Sequence, residues 1–255
     1  MAMGAQYYTW MDRGDGVRLA YAAIHGRKPT FVWLSGFKSD MAGAKAQALA
    51  EWAEQTGQSF LRFDYSGHGV SGGAFEDGTI GRWLADALTI IDAQSDGPLV
   101  LIGSSMGGWI SLLVACARPE RIKALLLIAP APDFTERMLA DEMDDAARAV
   151  LETTGRWERP SDYDPEPYVI TRALIEDGRN HLILDKPIAF EGAVRILQGQ
   201  QDDAVPWAHA LLIAEKLKSQ DVAITLVKDG DHRLSRPQDI VRLTDIAAEL
   251  ADLVR

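Results

Sequence analysis

The chain predicts an α/β fold: a mostly parallel central sheet flanked by helices, with one inserted cap. Short runs rich in β-branched and large apolar residues alternate with segments of helical period, the pattern of parallel strands joined by crossover helices. Residues 99–129 read strand, sharp turn, helix, strand around Gly103-Ser104-Ser105-Met106-Gly107. The alternation then lapses over residues 133–190 and resumes at Val194. That gap predicts a helical cap between the sixth and seventh strands, with residues 1–132 and 191–255 forming the core.

From the N-terminus, strands are expected over 17–24 and 30–34, a helix over 42–56, a strand over 59–64 and a helix over 80–94. Residues 99–103 are a short, continuously apolar strand of the kind buried on both faces. A helix over 106–117 stops before Pro119, which cannot extend it. Another buried strand covers 124–129. In the insertion, Phe134, Met138, Met143, Ala147 and Leu151 fall near helical spacing, with Asp141, Glu142, Asp144 and Asp145 opposite. One amphipathic helix packed on the main body is expected there, with Met138 and Met143 also serving as adaptable walls of a substrate pocket. Trp207 is the third expected pocket residue. The proline-rich stretch from Arg159 to Pro167 reads as a loop. Strands over 194–198 and 223–227, a helix over 208–218 and a closing helix over 237–254 complete the order.

The 255 residues and 47% apolar content suffice for one large core. A formal net charge of −11 with no Lys/Arg run argues against nucleic acid and anionic bilayers as partners. Apolar runs fall far short of the roughly 20 residues a membrane span needs, so no stable membrane insertion is expected. Cys116 is the sole cysteine and has no intrachain disulfide partner. The first sixteen residues lack an apolar signal core and an Arg-rich targeting pattern. A cytoplasmic location is the expectation.

Gly103-Ser-Ser105-Met-Gly107 matches GxSxG where a strand must turn abruptly into a helix. Ser104 does not fit, because Ile102 and Met106 would flank it. A serine hydroxyl is a weak nucleophile near neutral pH, so an imidazole must take its proton and a carboxylate must orient that imidazole. In the order serine, acid, histidine, Asp202 follows the strand over 194–198 and His232 follows the strand over 223–227. Asp203 is the adjacent alternative to Asp202. The remaining histidines, His25, His68, His181 and His209, do not meet the order. Backbone N–H groups of Met106 and of Phe37, in the loop after residues 30–34, are the expected oxyanion donors. The glycine-rich turn Asp64 to Gly73 lacks GK[ST] and a third glycine of a dinucleotide fingerprint, so it reads as a structural turn beneath the site. No histidine pair at helical spacing and no second cysteine supports a metal. Neither a metal nor a cofactor is expected.

The runs FDYSGHGVSGG, GSSMGGW, DDAVPW and DHRLS, in this order, resemble the signatures of the α/β-hydrolase superfamily. Within it, SGFKSDMAGAKA and GSSMGGWISLLVACARPERIKAL are similar to the palmitoyl-protein thioesterase and acyl-glucuronide esterase group. The resemblance spans most of residues 30–250 and is weakest in the cap. It implies a Ser105–Asp202–His232 triad, no cofactor, and small-molecule esters, fatty-acyl thioesters or an acylated protein as substrate. Two features depart from the pattern: Ser35 stands where many such enzymes carry histidine, and a mitochondrial targeting segment is not evident.

The expected activity is therefore that of a carboxylesterase or acyl thioesterase. Serine at 105 argues against the dehalogenases and epoxide hydrolases, which attack with a carboxylate. Peptidase, perhydrolase and carbon–carbon hydrolase activities share the serine triad and separate only by substrate. A non-catalytic binding homologue would lack one of the three residues. Arg156, Arg159, Arg172 and Arg179 in the cap are expected to be solvated rather than to hold an acidic leaving group.

Overall fold

The computed structural model describes residues 8–159 and 167–254. Its strands are β1 (Thr9–Asp12), β2 (Arg18–Ile24), β3 (Arg27–Leu34), β4 (Gln58–Phe63), β5 (Leu99–Ser104), β6 (Ile122–Ile128), β7 (Arg156–Arg159), β8 (Tyr168–Thr171), β9 (Ala193–Gly199) and β10 (Val222–Val227). Eight of them form one sheet in the order β1-β2-β4-β3-β5-β6-β9-β10. β2 runs antiparallel to β1 and β4, and every other pairing in this sheet is parallel.

The helices are α1 (Ala44–Thr56), α2 (Ile80–Gln94), α3 (Met106–Ala117), α4 (Phe134–Arg137), α5 (Asp145–Thr154), α6 (Arg172–Arg179), α7 (Ala208–Lys216) and α8 (Pro237–Leu253). Side chains of the central strands alternate between two apolar layers, as the period of a strand requires. Phe31, Trp33, Val100, Ile102, Leu126 and Ile128 pack with Leu49 of α1 and Leu243 and Leu250 of α8. Val32, Leu34, Leu101, Leu125 and Leu127 pack on the other face with Trp83 of α2 and Trp109 of α3. Because both faces are covered, β5 is buried throughout, which explains its unbroken apolar run. Among the described residues no helix is long and apolar enough to cross a membrane.

The sequence pattern missed β1. Three of its four residues are exposed, so it has no buried face to impose an alternation. The insertion also differs from the expected helical cap: β7 and β8 form a separate antiparallel pair. The charges of Arg156, Glu158 and Arg159 hide the strand period there, although Trp157 is half-buried and Ile170 fully buried. The single amphipathic helix expected from Phe134 to Leu151 is broken. A π-turn over Met138–Glu142 ends at Met143, whose backbone is extended, and Asp144 caps α5 by accepting the Ala147 N–H. Asp144 therefore favours a fresh helix start over continuation. The proline-rich loop expected between Arg159 and Pro167 lies, for residues 160–166, outside the described residues.

Polar contacts close the insertion on itself and tie it to the core. Asp133, in left-handed backbone, accepts the N–H of Ile183 at 3.0 Å and of Leu184 at 2.9 Å. Asp177 of α6 accepts the Gly81 N–H at 2.7 Å, and Trp109 Nε1 donates to the His181 carbonyl at 3.1 Å. Replacing Asp133 by alanine would orphan two N–H groups and force a residue with a poor left-handed preference into that conformation. Asp133→Ala is expected to lose about 1–3 kcal/mol of stability, and Asp133→Asn distinctly less. Thermal unfolding of the two variants checks this ordering; roughly 2–4 °C of Tm corresponds to each kcal/mol in a chain of this size.

Candidate active site

The parallel sheet gathers the loops that follow β3, β5, β6, β9 and β10 along one edge, where open α/β sheets bind their ligands. Ser105 stands in the turn between β5 and α3 with φ 53 and ψ −117, a conformation that a non-glycine residue holds only when its surroundings enforce it. Its N–H donates to the Ile128 carbonyl at 2.9 Å, and its own carbonyl accepts the Ala131 N–H at 3.1 Å. The flanking glycines are demanded by space. A Cβ on Gly107 would lie 2.0 Å from the Leu34 carbonyl oxygen, and one on Gly103 would lie 2.3 Å from that of Gly107.

His232, in the loop after β10, bridges the serine to a carboxylate. Its Nε2 is 3.1 Å from Ser105 Oγ, and its Nδ1 is 2.8 Å from Asp202 Oδ2. A carboxylate only accepts, so Nδ1 carries the ring proton and Nε2 presents its lone pair to the hydroxyl. Such a chain can take a proton from Ser105 and stabilise the resulting imidazolium. Asp202 is buried, whereas Asp203 is exposed. The Asp202 Oδ1 accepts the N–H groups of Ala204 and Val205 at 3.0 and 2.7 Å. Gln198, fully buried at the end of β9, donates its Nε2 to Asp202 Oδ2 at 2.9 Å. Sequence reasoning did not single out Gln198; an uncharged polar residue directly after the apolar pair Ile196-Leu197, at the end of a strand, was its signal.

Met106 opens α3, so its N–H is one of the four that lack an intrahelical acceptor. Phe37 follows Gly36, and a Cβ on Gly36 would meet the Ser104 carbonyl oxygen at 3.3 Å and Ser105 Cβ at 3.4 Å. The Phe37 loop is thus pressed against the serine turn. Two recesses flank Ser105. One, of about 400 Å³, is lined by Lys38, Asp40, Lys45, Arg233 and Ser235 with Phe37 and His232. The other, of about 150 Å³, is lined by Met106, Phe134, Met138 and Val205. Tyr168 of β8 borders both, packs on the Phe37 ring and carries Lys38 Nζ 4.9 Å above its own. Burial lowers the Lys45 ammonium to about 8.

Met138 thus lines the apolar recess, but Met143 and Trp207 line neither. Met143 is buried in the main apolar layer, because the π-turn adds a residue to the helical repeat and turns it away from Met138. Trp207 begins α7 and is 39% exposed. The four insertion arginines pair with carboxylates: Arg156 with Glu76, Arg159 with Glu142, Arg172 with Glu176 and Arg179 with Glu136. Among them only Arg159 borders a recess at Ser105.

Beneath the Phe37 loop lie two buried titratable groups. Asp64 accepts the Met41 N–H at 2.7 Å and the Val70 N–H at 2.9 Å, joining the loops after β3 and β4. Desolvation raises its carboxyl to about 6. Burial lowers His68 to about 4, so its ring is neutral at physiological pH.

The family profile described as serine aminopeptidase, S33, matches residues 27–181. The mitochondrial palmitoyl-protein thioesterase ABHD10 of Pongo abelii is 38% identical over 245 residues, covering 96% of this chain and 80% of the relative. Among solved structures, alpha/beta hydrolase domain-containing protein 10 from mouse superposes with a TM-score of 0.91 at 36% identity, covering 98% of this chain and 100% of that one. A solved protein from Agrobacterium vitis S4 reaches the same TM-score at 43% identity, with 96% and 98% coverage.

Asp64 and His68 make opposite contributions to the pH dependence of stability. Between pH about 4 and 6 folded Asp64 keeps a proton that the unfolded chain has released, so its contribution falls as pH rises. Between about 4 and 6.5 unfolded His68 is protonated and the folded ring is not, so its contribution rises with pH. Each is on the order of 3 kcal/mol at full extent. His68→Gln removes the second slope alone. Relative to wild type, this variant is expected to gain stability steadily as pH is lowered from 6.5 to 4, read by chemical denaturation across that range; a constant offset between the two curves would contradict the assignment.

Proposed function

The chain belongs to the α/β-hydrolase family described as serine aminopeptidase, S33, and from that membership we propose a serine hydrolase that cleaves carboxylic esters or fatty-acyl thioesters through an acyl-enzyme on Ser105. The observation that carries the proposal is the His232 imidazole, bonded at once to Ser105 Oγ and to the buried Asp202 carboxylate. The thioesterase named in the relatives sharpens the substrate class to acyl chains, on a small molecule or on an acylated protein.

In this reading Ser105 Oγ passes its proton to His232 Nε2 and attacks the acyl carbonyl. Oxygen gains negative charge, which the N–H groups of Met106 and Phe37 stabilise. Asp202 holds the imidazole in the required tautomer and stabilises its cation. His232 then protonates the departing alkoxide or thiolate. Water enters, gives a proton to the same nitrogen and attacks the acyl carbon; the bond to Ser105 Oγ then breaks, His232 returns the proton to that oxygen, and the carboxylic acid leaves. The acyl group lies in the apolar recess against Met138, and the leaving group lies in the polar recess near Lys45. The insertion, residues 133–190, acts as the cap, with Tyr168 as the wall between the two. An exposed Cys116 thiol suits a reducing compartment such as the cytoplasm.

Ser105→Ala is expected to abolish turnover and labelling by a serine-directed fluorophosphonate. Asp202→Asn, which preserves shape, is expected to lose on the order of ten-thousand-fold in kcat if the serine-protease precedent transfers. Steady-state kinetics on p-nitrophenyl esters and acyl-CoA thioesters reads both, and an Asp202→Asn enzyme near wild-type rate would remove Asp202 from the mechanism.

The acyl assignment makes a separate forecast. Filling the apolar recess with Met138→Trp should depress kcat/KM for octanoyl esters by roughly tenfold or more while sparing acetyl esters. Equal losses on both chains would move the acyl group out of that recess.

A further inference from the structure

His68 sits in the Gly67-His68-Gly69 turn, buried, and touches no reacting atom. Its two ring nitrogens are nonetheless both engaged. Nε2 is 3.2 Å from the backbone N of Lys38, and Nδ1 is 3.2 Å from the Ser66 carbonyl oxygen. A backbone N–H can only donate and a carbonyl can only accept. Both ends therefore demand one tautomer, with the proton on Nδ1 and the lone pair on Nε2. Lys38 is the residue after Phe37 and holds left-handed backbone at φ 54. On its other side the same turn closes through Ser39 N–H to the Gly36 carbonyl at 3.1 Å.

The rings agree with the hydrogen bonds. His68 packs edge-on against Phe75 and Trp83, with centroids at 5.2 and 5.1 Å. Phe37 packs edge-on against the same two rings at 4.9 and 5.8 Å. Phe37 and His68 are thus seated in one aromatic cluster and joined by one backbone hydrogen bond.

We infer that His68 is a positioning residue: by accepting the Lys38 N–H it fixes the Phe37–Lys38 turn, and so the placement of the Phe37 N–H that stabilises the oxyanion. The inference rests on the serine-hydrolase reading above. A neutral ring is required, because a second ring proton would face the Lys38 N–H, and burial keeps the ring neutral. A donor displaced by a fraction of an ångström leaves substrate binding intact but loses strength where charge develops.

The test compares His68→Phe, which keeps a ring and removes the acceptor, with His68→Gln, whose Oε1 can reach the Nε2 position. His68→Phe is expected to lower kcat on p-nitrophenyl butyrate by roughly ten- to a hundredfold with KM nearly unchanged. Inhibition by phenylboronic acid, whose serine adduct carries the oxyanion, should weaken in parallel. His68→Gln should recover most of both losses. A His68→Phe enzyme with wild-type kcat, or a loss that follows Tm and is not recovered by glutamine, overturns the inference. A wild type that turns over no ester or thioester overturns the hydrolase reading and this one with it. Should His68→Phe fail to fold, ¹⁵N-histidine spectra of the wild-type protein decide. The Nδ1–H tautomer is expected with and without the boronic acid, and an Nε2–H tautomer overturns the inference.

Discussion

The backbone of Ser105 is the constraint from which the rest of the site follows. A strand aimed at the sheet edge must become a helix within one residue, and that residue takes φ 53. The strain is held by its bonds to Ile128 and Ala131, and by two glycines that let β3 and α3 close in. The other left-handed non-glycine residues among those described, Lys38, Ala129, Asp133 and Leu234, lie after β3, β6 and β10. Each is in a loop that reaches the serine or anchors the insertion over it. Strain of this kind persists only where packing over-determines the backbone, and here it is concentrated at one edge of one sheet.

The layers beneath supply that over-determination. Both faces of β3, β5 and β6 are buried in apolar layers, so their ends have little freedom to move. The loops are then locked to one another by buried or half-buried polar groups rather than by apolar contact. Asp64 joins the loops after β3 and β4, Gln198 and two N–H groups hold Asp202, and Asp133 pins both ends of the insertion. Directional bonds suit this task, because an apolar contact tolerates sliding and a hydrogen bond fixes an atom to within a few tenths of an ångström.

The core of the fold was legible because it rests on local rules. Burial on both faces makes β5 and β6 continuous apolar runs, and Pro119 marks the end of the helix between them. The serine, acid and histidine could be proposed because GxSxG and the chain order constrain them tightly. The insertion was not legible in the same way. Its Met138–Glu142 turn departs from the 3.6-residue period on which the single-helix reading depended, and that departure separates Met143 from Met138. Trp207 was misplaced because a large aromatic beside Asp202 in sequence need not point the same way in space. Among the supports of the site, Gln198 and Tyr168 carry no motif, and His68 lies in the run FDYSGHGVSGG that reads only as a structural turn; their roles exist only in contacts between distant segments.

His68 and His232 show why a residue type alone does not fix a role. Both rings carry the proton on Nδ1 and offer a lone pair at Nε2, and both face a loop that ends a parallel strand. His232 has a carboxylate at Nδ1 and a hydroxyl at Nε2, so it can gain a proton and have the charge answered. His68 has a backbone carbonyl at Nδ1, a backbone N–H at Nε2 and T-shaped contacts with the rings of Tyr65, Phe75 and Trp83. A proton gained there would meet no counter-charge in contact among the described residues and would set two donors against each other. The same side chain in the same tautomer can thus take up a proton in one loop and is held neutral in the next, and the difference lies in what stands opposite its nitrogens.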